Sequence, residues 1–230
     1  MKRDSIILLC LTIVVSAIAI AMALRGLASW LEAISFVTGA ACVWLTVKES
    51  IWNFPISLAN VATFFIVFAR AHLFADAGLQ VVYFVLTIFG WYMWLRGGER
   101  HTRLCVSRVR RSEAISITAA GATLTLGLWF LLRYVGGSAS FFDALTTSIS
   151  LCAQWMLNRK QVENWYCWIA ADIIYIPLYL YKGLYLTSGL YVVFLVMAIM
   201  GLLQWLATWR ATRGDFIASA SPAPSEVVAA

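Results

Sequence analysis

Apolar residues in this chain come in long blocks, near 5–24, 30–47, 53–69, 75–95, 114–134, 142–157, 164–181 and 186–208, each set off by at least one charged residue. A bilayer core takes roughly 20 mostly apolar helical residues per crossing. The pattern therefore predicts eight transmembrane helices. No stretch keeps up the ten-residue alternation that a membrane β-strand needs. The expected fold class is an all-α polytopic membrane protein.

Composition agrees. Of 230 residues 62% are hydrophobic and 12% charged, with a mean hydropathy of +0.83, whereas soluble domains carry about a quarter charged residues. A water-soluble enzyme and a disordered chain are both excluded. The net charge of +6 changes the picture only through its placement. With the N-terminus inside, Lys2, Arg3, Lys48, Arg96, Arg100, Arg103, Arg108, Arg110, Arg111, Arg159, Lys160, Arg210 and Arg213 are cytoplasmic, and Arg25, Arg70, Arg133 and Lys182 are external. Positive charge collects on the cytoplasmic side, so both termini are expected there. The charge then marks topology, and nucleic acid is not an expected partner. Lys2-Arg3, an apolar run and Ala21-Met22-Ala23 also fit a cleavable signal peptide, but the run is longer than a usual signal core, which favours a retained helix.

Sliding the chain by 111 residues aligns 28–94 with 139–205 without a gap. Fifteen identical pairs include Trp44/Trp155, Asn53/Asn164, Gly78/Gly189, Gly90/Gly201 and Trp94/Trp205, along with Ala28/Ala139, Ser29/Ser140 and Leu73/Leu184. Apolar composition alone does not place Trp, Asn and Gly in one register. The expected architecture is a parallel repeat of two three-helix bundles joined by a linker helix (3+1+3), plus one extra N-terminal transmembrane helix. Its parts are an N-terminal helix (1–28), a first repeat (29–96), a basic cytoplasmic loop with the linker helix (97–138), a second repeat (139–209) and a disordered cytoplasmic tail (210–230). Repeats of this kind bind substrate near the membrane midplane between the halves.

The seventh block is the most polar. Trp165, Trp168, Asp172, Tyr175 and Tyr179 fall at i, i+3, i+7, i+10 and i+14, on one helical face. Asp172 lies eight residues past Asn164, about 12 Å along the helix, where a carboxylate facing lipid is costly. It should face a cavity. Trp165 and Trp168, one turn apart, can stack on a flat ring, most strongly a cationic one; an interfacial aromatic belt is the bland alternative. Pro177 frees backbone groups beside them. Asn60, Gln80 and Gln154 can hydrogen-bond a sugar or carboxamide, or simply join helices; Asn53, Ser57 and Thr87 read the same way.

No GxxxxGK[ST], HExxH or GxSxG motif occurs, and His72 and His101 are far apart. The five cysteines form no CxxC spacing. No enzyme, metal site or cofactor is expected, and Gly97-Gly98 reads as a turn.

Trp52-Asn53-Phe54-Pro55, Leu79-Gln80-Val81, Phe89-Gly90-Trp91-Tyr92-Met93-Trp94, Glu163-Asn164-Trp165-Tyr166-Cys167-Trp168 and Ile174 to Tyr185 resemble the PnuC family of bacterial inner-membrane vitamin transporters, over roughly residues 30–208. The resemblance implies facilitated uptake of nicotinamide riboside, trapped by a separate cytoplasmic kinase, and homotrimeric assembly. It implies that Trp165 and Trp168 stack on the substrate, with Asn164 and the position of Asp172 as polar contacts. Some nicotinamide riboside carriers have Asn at that position, and other relatives carry thiamine or riboflavin. Nicotinamide riboside and thiamine are cationic rings that suit a carboxylate; neutral riboflavin suits it less.

Overall fold

The structure, a computed structural model, describes residues 2–27, 30–70, 74–134, 140–181 and 185–220. Among them are eight α-helices: α1 (Lys2–Leu24), α2 (Trp30–Val47), α3 (Asn53–Arg70), α4 (Phe74–Arg96), α5 (Arg111–Tyr134), α6 (Ser140–Asn158), α7 (Asn164–Tyr181) and α8 (Tyr185–Ala220). Each follows one apolar block. Four contain segments long and apolar enough to cross a membrane: Asn53–Arg70, Ala77–Arg96, Arg111–Tyr134 and Ser188–Arg213. Polar residues such as Thr146, Ser150 and Gln154 in α6, and Asn164 and Asp172 in α7, dilute the hydropathy of those two helices. Lys182 and one or both members of the pairs Ala28/Ala139, Ser29/Ser140 and Leu73/Leu184 lie outside the described residues.

Corresponding elements are built alike. Helices α3 and α7 start at Asn53 and Asn164 and end at Arg70 and Tyr181, an offset of 111 at both ends. Helices α2 and α6 finish in the same cap: Glu49 N–H bonds Thr46 O and Ser50 N–H bonds Leu45 O, while Lys160 N–H bonds Leu157 O and Gln161 N–H bonds Met156 O. This is the Schellman arrangement, whose left-handed residue is usually glycine. Here it is Glu49 (φ 53) and Lys160 (φ 51), at roughly 1–2 kcal/mol each for an L side chain.

Helices α2, α3 and α4 pack in sequence, as do α6, α7 and α8, and the two groups meet where α2 touches α8 and α4 touches α6. Helix α1 lies on α2 as α5 lies on α6. The α1 contact is close because small residues line it: Ala19 and Ala23 pack with Ala33, and Val15 with Ala40 and Leu190.

The main core sits at the end of the bundle that carries the basic loops. Phe54 meets Trp94 edge-on at 5.0 Å and Trp165 meets Trp205 edge-on at 5.5 Å, two pairs again 111 residues apart. Trp94 and Trp205 approach to 6.0 Å. The segment after α4 lies across this core. Leu104 N–H bonds Trp94 O, and Ser107 and the Lys160–Val162 turn exchange two backbone bonds. Glu163 holds Arg108 and the Val109 N–H, and Glu113 holds Arg159 and Gln161. Gly97 and Gly98 make the expected turn, with Gly97 N–H on Met93 O and Gly98 N–H on Thr102 O.

One expectation changes. Residues 210–220, assigned to a disordered tail, continue α8 to Ala220. They contain no proline before Pro222, and Trp209 lies under the guanidinium groups of Arg108 and Arg213 at 5.3 and 5.5 Å. Residues 221–230 lie outside the described residues.

Candidate functional site

Helix α7 presents its aromatic and acidic face to α8, as its spacing requires. Nearest the basic end, Asn164 is fully buried and its amide donates to Gln161 O at 2.6 Å. Its Oδ1 has no partner. Two turns deeper, Asp172 is buried and forms no hydrogen bond or ion pair with any described residue. Tyr191 of α8 stands in its field. The Tyr175 ring lies 5.6 Å from Tyr179 and 4.8 Å from Tyr191, and Tyr179 stacks on Tyr191 at 5.1 Å. Thr146 and Ser150 of α6 neighbour the Tyr175 hydroxyl, and Tyr83 of α4 shares Ser150.

An unpaired carboxylate among aromatic rings has lost much of its hydration without gaining a counter-charge. A cation bound there would supply the counter-charge, and the rings would hold it flat. Among the described residues no Lys or Arg is found on this face, so nothing in it favours a phosphate.

The structure divides the expected site residues into groups. Asp172 and Tyr175 stand together, with Tyr191. Trp165, Trp168 and Asn164 gather nearer the basic end. Trp165 is buried with its ring against Gly201, where an added Cβ would lie 2.5 Å from the indole, and its Nε1 is unpartnered. Trp168 is half-buried against the same core. Gln154 donates to Asn158 Oδ1 at 3.0 Å, and Asn158 donates to Leu86 O of α4 at 2.7 Å. Asn60 is spent within the first half, its amide on Ser35 O and Thr38 Oγ1 of α2 at 2.7 and 2.8 Å. Gln80 is half-buried on α4, and no hydrogen bond joins it to the other candidates.

Tyr191, Tyr83, Thr146, Ser150 and Asn158 escaped the sequence reading. Two signals could have found them. Thr146, Ser150, Gln154 and Asn158 repeat every four residues, a polar row along one face of α6. Tyr191 is the 111-residue counterpart of Gln80, already a candidate.

A second cavity, of about 430 Å³, opens at the basic end between Glu49, Ile51, Trp94, Arg103 and Lys160. There Lys160 Nζ bonds Glu49 Oε2 at 3.1 Å and lies 4.5 Å from the Trp94 ring centroid.

Residues 29–207 match the family described as nicotinamide mononucleotide transporter. The nicotinamide riboside transporter PnuC of Escherichia coli (strain K12) is 28% identical over 208 residues, covering 79% of this chain and 87% of that one. The riboflavin/roseoflavin transporter RibM of Streptomyces davaonensis is 24% identical over 190 residues, covering 81% and 87%. In three dimensions the chain matches the crystal structure of the vitamin B3 transporter PnuC with a TM-score of 0.72 at 22% identity, over 92% of this chain and 93% of that one. With its helices, its aromatic face on α7 and this match over most of its length, the chain belongs to the nicotinamide mononucleotide transporter family, to which PnuC belongs.

Proposed function

We propose that this protein is a bacterial inner-membrane carrier for facilitated uptake of nicotinamide riboside, with thiamine the alternative substrate and riboflavin a less suitable one. The observation that carries this is Asp172, a buried carboxylate without a partner, on a face built with Tyr175, Tyr179 and Tyr191. The pyridinium of nicotinamide riboside and the thiazolium of thiamine supply the positive charge that this site lacks. A nucleoside monophosphate brings negative charge instead, which disfavours it beside Asp172. Trp165, Trp168 and Asn164 are proposed to complete the site from the basic end when the core around them loosens. Transport without an energy source runs only downhill, so accumulation requires a separate cytoplasmic kinase to charge the product and trap it.

The same reading orients the protein with the basic end and both termini in the cytoplasm, after the distribution of Lys and Arg. The two halves form parallel repeats, supported by the common 111-residue offset of helix starts, caps and aromatic pairs. Helix α1 stands to α2 as α5 stands to α6, which favours a retained first helix that is the counterpart of the linker. Assembly as a homotrimer in the bilayer is part of the proposal and rests on the PnuC resemblance. Transport proceeds by rocking one half against the other, and no chemical step is assigned.

Calorimetric titration of the purified protein with nicotinamide riboside, thiamine, riboflavin and nicotinamide mononucleotide tests the assignment. Heat with nicotinamide riboside and uptake by proteoliposomes without ATP are expected. Binding of thiamine with no response to nicotinamide riboside would replace the substrate, and no binding of any of the four would remove the transport reading.

A further inference from the structure

The basic end carries a device that the substrate site does not use. Glu49 closes the cap of α2 and Lys160 the cap of α6, each in a left-handed conformation where glycine is the economical choice. Charged side chains kept at two strained positions call for a use. The two residues are 111 apart, so they are one position seen twice, and their side chains bond each other at 3.1 Å. A residue meets its own counterpart only beside the axis relating the halves. Opposite charges at that spot turn what would be like-charge repulsion into attraction. The Lys160 ammonium is also fixed over Trp94, at 4.5 Å.

Beside the pair, the indole N–H of Trp94 reaches Leu157 O and that of Trp205 reaches Thr46 O. All these bonds cross from one half to the other. A substrate leaving through this end must part them. An ion pair suits such a closure, because water entering the opened seam solvates both charges, whereas exposed apolar surface would resist opening. The 430 Å³ cavity already brings solvent-accessible space up to Glu49 and Lys160.

We propose that the Glu49–Lys160 pair is the cytoplasmic latch of the carrier, closed while the site faces outward and broken when it opens inward. The proposal rests on the transport reading and on the orientation given above. Its test introduces Ser50→Cys, which lines the cavity beside the latch, into the full-length chain with its five native cysteines changed to alanine, reconstituted in proteoliposomes. Labelling by a membrane-impermeant maleimide from the basic side is followed. Lys160→Met should raise the labelling rate about fivefold or more, and exchanging the charges (Glu49→Lys with Lys160→Glu) should bring it back near the parent. Glu49→Gly should give the same rise without loss of thermal stability, since glycine relieves the left-handed backbone, and it stands in if Lys160→Met fails to assemble. Unchanged labelling in the single variants, or a rise that the charge exchange does not reverse, would overturn the latch. Labelling needs no substrate, so failure of the parent chain to take up nicotinamide riboside would count against the transport reading alone.

Discussion

Trp94 and Trp205 occupy the same place in the two halves, lie 6.0 Å apart, and each donates its indole N–H to a carbonyl of the opposite half, at 3.0 and 3.1 Å. The acceptors, Leu157 and Thr46, are themselves 111 residues apart. Trp205→Phe keeps the ring but strands a buried carbonyl, which costs about 1–3 kcal/mol. The expected result is a lower midpoint in thermal unfolding, with a similar loss in Trp94→Phe. A double variant that loses much less than the sum would show that the two bonds act as one unit.

Asp172→Asn keeps the shape of the side chain and removes its charge. Affinity for a cationic ring should fall about 10- to 100-fold, as removal of a desolvated ionic contact of some 1.4–2.8 kcal/mol does. The empty protein should become more resistant to heat, because an unpaired buried carboxylate is gone. Calorimetry and thermal unfolding on one preparation check both. Weaker binding of nicotinamide riboside with no gain in stability would mean that Asp172 has a partner in the empty state.

Tyr191→Ala removes the ring that bridges Tyr175 and Tyr179. Loss of an aromatic contact of about 0.5–1.5 kcal/mol predicts a two- to tenfold weaker Kd. Tyr191→Phe should retain most of the affinity, which separates stacking from hydrogen bonding by the hydroxyl.

Gly201→Ala puts a methyl 2.5 Å from the Trp165 indole, while Gly127→Ala in α5 meets nothing within 4 Å. The first should destabilise by about 1–3 kcal/mol through overpacking. The second should be neutral or slightly stabilising, since alanine favours the helix. Equal melting temperatures would indicate that the Trp165 ring moves aside freely.

The helices were legible because bilayer thickness forces long apolar blocks, and the spacing of Asp172 with Tyr175 and Tyr179 was enough to put them on one face. Asn60 shows where that reading weakens: an amide braced on Ser35 and one reaching for substrate look alike in sequence. The polar row of α6 stayed hidden because Thr and Ser hardly lower the hydropathy of a block. Tyr191 stayed hidden because a tyrosine in an apolar run reads as packing. The meeting of Glu49 with Lys160 depends on where the axis between the halves passes, and no local pattern records that. Residues 210–220 were misassigned because alanine and serine read as a tail when nothing shows the Arg108 and Trp209 contact that anchors the start of the extension.

The polar character of α6 and α7 also bears on how the protein is made. A segment carrying Asn164 and Asp172, or the row from Thr146 to Asn158, is a weak signal for lateral release into lipid. The more apolar α5 and α8 flank these two helices on either side in the sequence. During synthesis α6 and α7 would linger at the insertion machinery until α8 emerges, then enter the bilayer as a hairpin between stable neighbours. The residues that recognise substrate thus delay the second half of the molecule, and ribosome-bound chains ending before α8 should be the ones that quality-control proteases remove.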